Sequence, residues 1–392
     1  MAVAPIDVRT SLKATCPRKD LFEAVQIVGH AVTGRSPLDI RKHILIQSEG
    51  DSLRLIATDD EIAISCRIGA DVTEAGGLCA PAKTLTEVLA NLPDMAEVDL
   101  SVDVSHAVRL HSESSDYKIL GLPVEDYDAL PEVVDVASFP IQQSRLKTMI
   151  RQTIFAVSPE ETRAILTGIL IEFQEDELKL VATDTHRLAV KSAVVHGGHG
   201  SQNAIVPSRA MAELAKLLTD TEGEVLVTLS NNQVRFDLPG DSGVQITSKL
   251  IEGQFPNYHR VVPSSHEIKL SAPVAPLSGA LRRAYIVAKE AAGRVVLRAR
   301  GEKLELTAEA LTVGQAYEEI EIARHGEEIQ IAFNAKYLLD VLSAIDDYGV
   351  HIELTERLKP GVVRPVPDPS EDGEALTTTP DYLCVLMPMQ IV

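Results

Sequence analysis

Four cysteines, Cys16, Cys66, Cys79 and Cys384, are scattered through 392 residues without a C-x-x-C pair. That removes the spacing a zinc site or a dithiol redox motif needs and fits a reducing cytoplasm. Also missing is any apolar run near the roughly 20 residues that span a bilayer. The opening MAVAPIDVRTSLKATCPRKD puts charges where an export signal has an unbroken apolar stretch, so a cytoplasmic protein without membrane contact is expected. No Gly-rich loop runs into a helix with Lys-Ser/Thr, and no dinucleotide fingerprint occurs. ATP and NAD chemistry therefore lack support, and no cofactor is expected. Positive charge is scarce as well: 37 Lys plus Arg stand against 57 Asp plus Glu, a net charge of -20, which counts against a conventional nucleic-acid binder.

What is present is an ordinary globular composition, 45% apolar and 24% charged, in a chain longer than one hydrophobic core usually organises. A threefold repeat resolves the length. LRLIATDDEIAISCRI from Leu53, LKLVATDTHRLAVKSAV from Leu178 and LELTAEALTVGQAYEEIEI from Leu304 recur about 125 residues apart, the size of whole domains. A second series, starting at Ala80, Val206 and Phe333, keeps the same beat, and a looser third starts at Asp20, Arg145 and Pro276. The first series alternates apolar and polar residues as paired strands do, with Leu178, Leu180 and Ala182 on one face. In the second, Leu85, Val88, Leu89 and Leu92 have helical spacing, as do Leu338, Val341, Leu342 and Ile345. Each unit thus reads helix, strands, helix, strands. Three α+β domains are expected, over 1–135, 136–264 and 265–392, with boundaries near Asp135 and Ser264.

The net charge conceals segregation. Residues 145–157 (RLKTMIRQTIFAV) and 276–289 (PLSGALRRAYIVAK) each carry three basic residues and no acid, whereas EFQEDE from Glu172 and EEIEIARHGEE from Glu318 are acidic. Arg145, Arg151, Arg282 and Arg283, without interleaved aromatics, suit phosphate contact rather than base stacking or base reading. Asp184 beside His186 could polarise a nucleophile, which gives a hydrolase reading. Adjacent Asp and Thr between two strands more often form a hydrogen-bonded turn, however, and the matching turn Thr58-Asp59-Asp60 lacks the His and Arg. His196 and His199 in HGGHG have no further ligand at metal spacing, and their glycines suggest a mobile loop, so no metal is expected. The apolar C-terminal YLCVLMPMQIV either completes a core strand or offers methionines to a peptide groove.

ATDTHRLAV (182–190), SKLIEGQFPNYHRVVP (248–263), FNAKYLLDVL (333–342) and VLMPM (385–389) resemble, in order and over essentially the whole chain, signature segments of the bacterial DNA polymerase III beta subunit family of sliding clamps. The resemblance implies three clamp-type domains per subunit and a head-to-tail homodimer closing a six-domain ring around duplex DNA. Helices would line the hole and antiparallel sheets the outside. It implies a DNA replication processivity factor with no catalytic site. Its partners would be double-stranded DNA without sequence preference and, through short linear motifs, the polymerase III catalytic subunit, clamp loader and other replication or repair proteins.

Carried over residue by residue, the partner-peptide pocket comprises Leu166, Thr183, His186, Arg187, Leu188, Pro256, Arg260, Val261, Asn334, Tyr337, Val385, Leu386, Met387, Pro388 and Met389. The subunit interface is expected at the strand 117–120, with Tyr117 and Ile119 meeting Ile286 and Val287. DNA contacts are expected from Arg35, Arg145, Arg151, Arg163, Arg209, Arg282 and Arg283. Thr185 stands where the family usually has Gly, Gln390 where Arg is common, and 360–380 is longer and richer in Pro than the usual loop. These departures suit a specialised clamp copy acting as a peptide-binding scaffold as well as they suit ordinary divergence.

Overall fold

Six times among the described residues the chain runs a strand straight into a helix. The computed structural model describes residues 11–32, 39–59, 61–127, 133–366 and 381–391. The helices are α1 (Arg18–Gly29), α2 (Ala82–Asn91), α3 (Gln143–Ile154), α4 (Ser208–Leu217), α5 (Val274–Ala288) and α6 (Ala335–Ser343). Pro17, Pro81, Pro207 and Pro273 precede four of them with ψ between 119 and 137°. Proline has no N–H to continue a ladder, and its fixed φ suits the entry to a first turn, so one residue type ends the strand and starts the helix. Before α6 Asn334 does this work differently, its side chain accepting from the backbone N–H groups of Lys336 (2.9 Å) and Tyr337 (3.4 Å).

The helix faces read from spacing are the buried ones: Leu85 and Leu89 on α2, and Leu338, Val341 and Leu342 on α6. Val88 is only half-buried. Leu178, Leu180 and Ala182 are buried together, as expected for one sheet face. The short strands that lead into α1, α3 and α5 (Lys13–Pro17, Ala137–Gln142, Ile268–Pro273) went unread in the sequence.

The chain gathers into two compact units, Met1–Lys147 with Val195–Leu250, and Thr148–Val194 with Ile251–Val392. The middle repeat is divided between them. In the first unit an eight-stranded sheet joins Ala137–Gln142, Glu224–Leu229, Gln233–Asp237 and Gln245–Lys249 to the first repeat's Ile62–Gly69, Ser52–Thr58, His43–Ser48 and Gly77–Pro81. The seam is antiparallel, Ser248 opposite Ile62. In the second unit the hairpin Glu177–Thr183/Arg187–Val194 is joined in the same way to the third repeat's last strand, Tyr382–Leu386, with Arg187 opposite Leu386. At both seams the outer strand of a repeat's central hairpin receives the final strand of the next repeat, which covers edges that would otherwise template aggregation.

Two equivalent edges stay open among the described residues. Ser115–Leu120, the first repeat's final strand, ends a five-stranded sheet, and Gly314–Glu321, the outer strand of the third repeat's hairpin, ends a four-stranded one.

Burial pushes the thiols of Cys16, Cys66, Cys79 and Cys384 up to about 12, which leaves no reactive thiolate. The HGGHG segment is pinned rather than loose. Ser138 and His199 exchange both backbone hydrogen bonds at 3.0 and 2.7 Å, and Gly200, at φ +75°, lies where a Cβ would fall 2.4 Å from the Val136 carbonyl. No helix among the described residues is long and apolar enough to cross a membrane.

Candidate functional site

The turn that links Glu177–Thr183 to Arg187–Val194 is built by its own side chains. Asp184 Oδ1 accepts from the backbone N–H groups of His186 (2.9 Å) and Arg187 (3.0 Å), while Thr183 Oγ1 donates to the Arg187 carbonyl (2.7 Å). Asp59 closes the first repeat's turn identically, accepting from Glu61 (3.2 Å) and Ile62 (3.0 Å). Asp184 Oδ2 is taken by Arg187 Nε at 3.0 Å. With both carboxylate oxygens engaged and the His186 ring stacked on Tyr337 (centroids 6.3 Å apart, planes at 22°), the pair Asp184 and His186 forms a turn and not a catalytic dyad. The hydrolase reading fails on that geometry.

Thr185, at the apex, has φ +78°. A β-branched side chain is costly in the left-handed region, and this is the position where the resembled family usually has Gly. Replacing Thr185 by Gly is expected to raise unfolding stability by roughly 0.5 to 1 kcal/mol. That is the left-handed penalty of ~1–2 kcal/mol, less the part returned by glycine's freer unfolded chain. A denaturant melt measures it, and a loss of stability would show that Thr185's hydroxyl contacts outweigh the strain.

Three further segments meet this turn. The C-terminal strand delivers Met387, whose N–H donates to the His186 carbonyl at 2.9 Å, and two residues later the Met389 N–H reaches the Ala332 carbonyl at 2.7 Å. α6 brings Tyr337 and Asp340, and Asp340 Oδ2 accepts from Arg187 Nη1 at 2.5 Å. The short helix Glu161–Leu166 brings Arg163, whose Nη1 donates to Thr185 Oγ1 at 3.3 Å. Gly253 abuts that helix: at φ +135° a Cβ there would lie 2.7 Å from Ile165 Cγ2. From Gly253 the chain continues through Pro256 to Arg260 and Val261, anchored by buried Tyr258, which donates to Glu172 Oε2 at 2.6 Å. Burial and then the Glu172 carboxylate push the Tyr258 phenol far up, so it stays a donor.

Hydrogen bonds and ring contacts thus bring Thr183, His186, Arg187, Tyr337, Met387 and Met389, of the residues assigned to the pocket from sequence, into one neighbourhood. Leu166, Leu188, Val385 and Leu386 are core residues that support it from below. His186, Pro256, Arg260, Val261 and Met387 are exposed, and Thr183, Arg187, Asn334, Tyr337, Pro388 and Met389 are half-buried. Asp340, Phe155, Glu172 and Gly253 were missed. Only Asp340 had a sequence signal, since it follows Tyr337 by three residues on one helix and so shares its face.

The arginines read as phosphate contacts fare differently. Arg151 is paired with Asp346, Arg163 with Glu160 (3.4 Å), Arg209 with Asp59 and Glu61 (3.6 Å to the latter), and Arg283 with Glu318 through two bonds of 2.8 and 2.5 Å. Arg145 and Arg282 are exposed. Arg35 lies outside the described residues. At the expected interface Ile286 is 61% and Tyr117 36% exposed, and Val287 is half-buried. Ile119, 7% exposed, points into the core instead, and the neighbouring Leu120 is the 79% exposed residue. Strand alternation turns these two side chains to opposite faces.

Three family models cover nearly all of the chain: the DNA polymerase III beta subunit N-terminal domain over residues 12–131, its central domain over 140–257 and its C-terminal domain over 259–377. The chain belongs to the DNA polymerase III beta subunit family. Members are sliding clamps, processivity factors rather than enzymes, and this chain is one of them. The beta sliding clamp of Staphylococcus aureus is 33% identical over 350 residues, 87% of this chain and 92% of its own length. The Bacillus subtilis DNA polymerase sliding clamp superposes with a TM-score of 0.90 at 27% identity, covering 97% of this chain and all of that one. A Bartonella birtlesii sliding clamp, solved bound to griselimycin, matches at TM-score 0.89 and 30% identity with the same coverage. The three α+β domains read from the repeat are thus the three clamp domains of the family.

Proposed function

We propose that two copies of this chain close a ring around duplex DNA and tether the replicative polymerase, clamp loader and repair proteins through short peptides held at the site around Tyr337 and Met387. The domains would divide near Asp135 and Ser264. The observation that carries the reading is the repeated seam. Twice, the outer strand of a repeat's hairpin pairs with the final strand of the next repeat. The third hairpin and the first repeat's final strand have the same two edges with no strand on them among the described residues. Applying the seam a third time, between copies, joins Gly314–Glu321 of one subunit to Ser115–Leu120 of the other, and doing so head to tail on both sides closes a dimer in which both of these edges are paired. The decisive experiment is retention on nicked circular DNA after incubation with a clamp loader, with release on linearisation. Retention on the linear form, or none on the circle, would overturn the ring.

Sliding requires weak, sequence-independent contact, and the ion-paired arginines suit it, because each phosphate contact must compete with an internal carboxylate. Replacing Glu318 by Ala should release Arg283 from its two bonds. Direct DNA binding then strengthens and its salt dependence steepens by about one counterion. A fluorescence-anisotropy titration at several salt concentrations reads both, and an unchanged slope would show that Arg283 does not face the DNA.

A further inference from the structure

Arg187 lies within the peptide site proposed above, and the inference concerns what holds it there; it rests on that reading. The Arg187 side chain is only 10% exposed. Its Nε is bonded to Asp184 and its Nη1 to Asp340, and its guanidinium carbon lies 4.4 Å from the Tyr337 ring centroid and 5.4 Å from that of Phe155. A planar guanidinium with carboxylates on two of its nitrogens and aromatic rings near its faces is held in place rather than free to follow a ligand. It acts instead as a brace. Tyr337 packs against the brace and His186 stacks in turn on Tyr337, so the surface a peptide meets inherits its position from Arg187.

Asp340 comes from one turn beyond Tyr337 on α6, and so fixes the brace from the same helix that carries the wall. The repeat shows that this use is particular to the second seam. Glu213 occupies the matching place in α4 and there bonds His30 at 2.8 Å. His30 corresponds in the repeat to Phe155. In the first unit the helix acid thus grips the end of the first helix directly, and the residue matching Tyr337 is Ala210. Only in the second does an arginine of the turn itself join the helix acid to an aromatic wall.

We infer that Asp340 is a positioning residue for peptide binding: through Arg187 it orients Tyr337 and His186 without itself touching the peptide. The probe is a fluorescein-labelled peptide from the C-terminal part of a bacterial polymerase III catalytic subunit, titrated into the full-length protein, with griselimycin as a second ligand. Asp340→Ala should weaken peptide binding about tenfold or more with little change in the unfolding midpoint. Asp340→Glu, which keeps the carboxylate, should recover most of the loss. In an Arg187→Ala background Asp340→Ala should cost little further, because both act through one brace.

Should Asp340→Ala prove poorly folded, Asp340→Asn is measured in its place with the same expectations. Full affinity in the Asp340 variants, or losses that simply add to those of Arg187→Ala, would overturn the inference while leaving the peptide site standing. Equal binding by the intact chain and by one lacking residues 387–392 would instead overturn the site itself.

Discussion

Removal of residues 387–392 should abolish measurable binding of a polymerase-derived peptide while leaving the fold and the subunit association intact. Met387 is 39% exposed and Pro388 and Met389 are half-buried beside the turn, so the cut removes the flexible apolar part of the groove surface. Loss of central anchors in a small interface costs on the order of 2 kcal/mol or more each, which here compounds to at least a hundredfold in affinity. The fold should tolerate the cut because the strand Tyr382–Leu386 keeps its pairing on both sides, with Arg187–Val194 and with Gly361–Val366. Two backbone bonds are lost, from Met387 to His186 and from Met389 to Ala332, and both lie at the strand's free end. Titration of the labelled peptide into intact and truncated protein, with circular dichroism as the folding control, gives the result; equal affinities would move the peptide site elsewhere.

Replacing Ile286 and Val287 together by Asp should yield a monomer of 42.4 kDa in sedimentation velocity. Ile286, near the C-terminal end of α5, is 61% exposed, and in the repeat it matches His30 and Phe155, which sit at the equivalent place in α1 and α3. His30 bonds Glu213 of the next repeat's second helix, and Phe155 lies beside Arg187, which Asp340 of the next repeat's second helix holds, so Ile286 is the residue expected to face the second copy. Two buried, unpaired carboxylates would each cost several kcal/mol on association, more than a standard interface can absorb. The neighbouring strand gives the control. Asp at Leu120, 79% exposed, should also favour the monomer, whereas Asp at Ile119 should unfold the first unit, since that side chain is 7% exposed in the core. A dimer that survives the Ile286 and Val287 exchange would place the interface elsewhere.

The sequence by itself determined the repeat, the helix and strand faces and the membership of the clamp family, because these depend on local periodicity and on residue order. Leu178, Leu180 and Ala182 could be assigned to one face from alternation alone, and Asp184 to a turn from its neighbours. Tertiary structure decided what lay opposite. The stretch 145–157 carries three basic residues and no acid, yet Arg151 meets Asp346 almost two hundred residues away, and Arg283 meets Glu318 from the adjoining strand. Arg209, expected to contact DNA, is paired with the first repeat's turn at Asp59 and Glu61. Ile119 is buried and Leu120 exposed because one step along a strand turns a side chain to the other face. Arg187, assigned to the peptide site from sequence, is held by Asp184 beside it and by Asp340 from a helix about 150 residues on. Charge and apolarity belong to single residues and can be read in one dimension, whereas compensation of that charge, and the side of the sheet that faces water, are set by neighbours that only folding brings within a few ångströms.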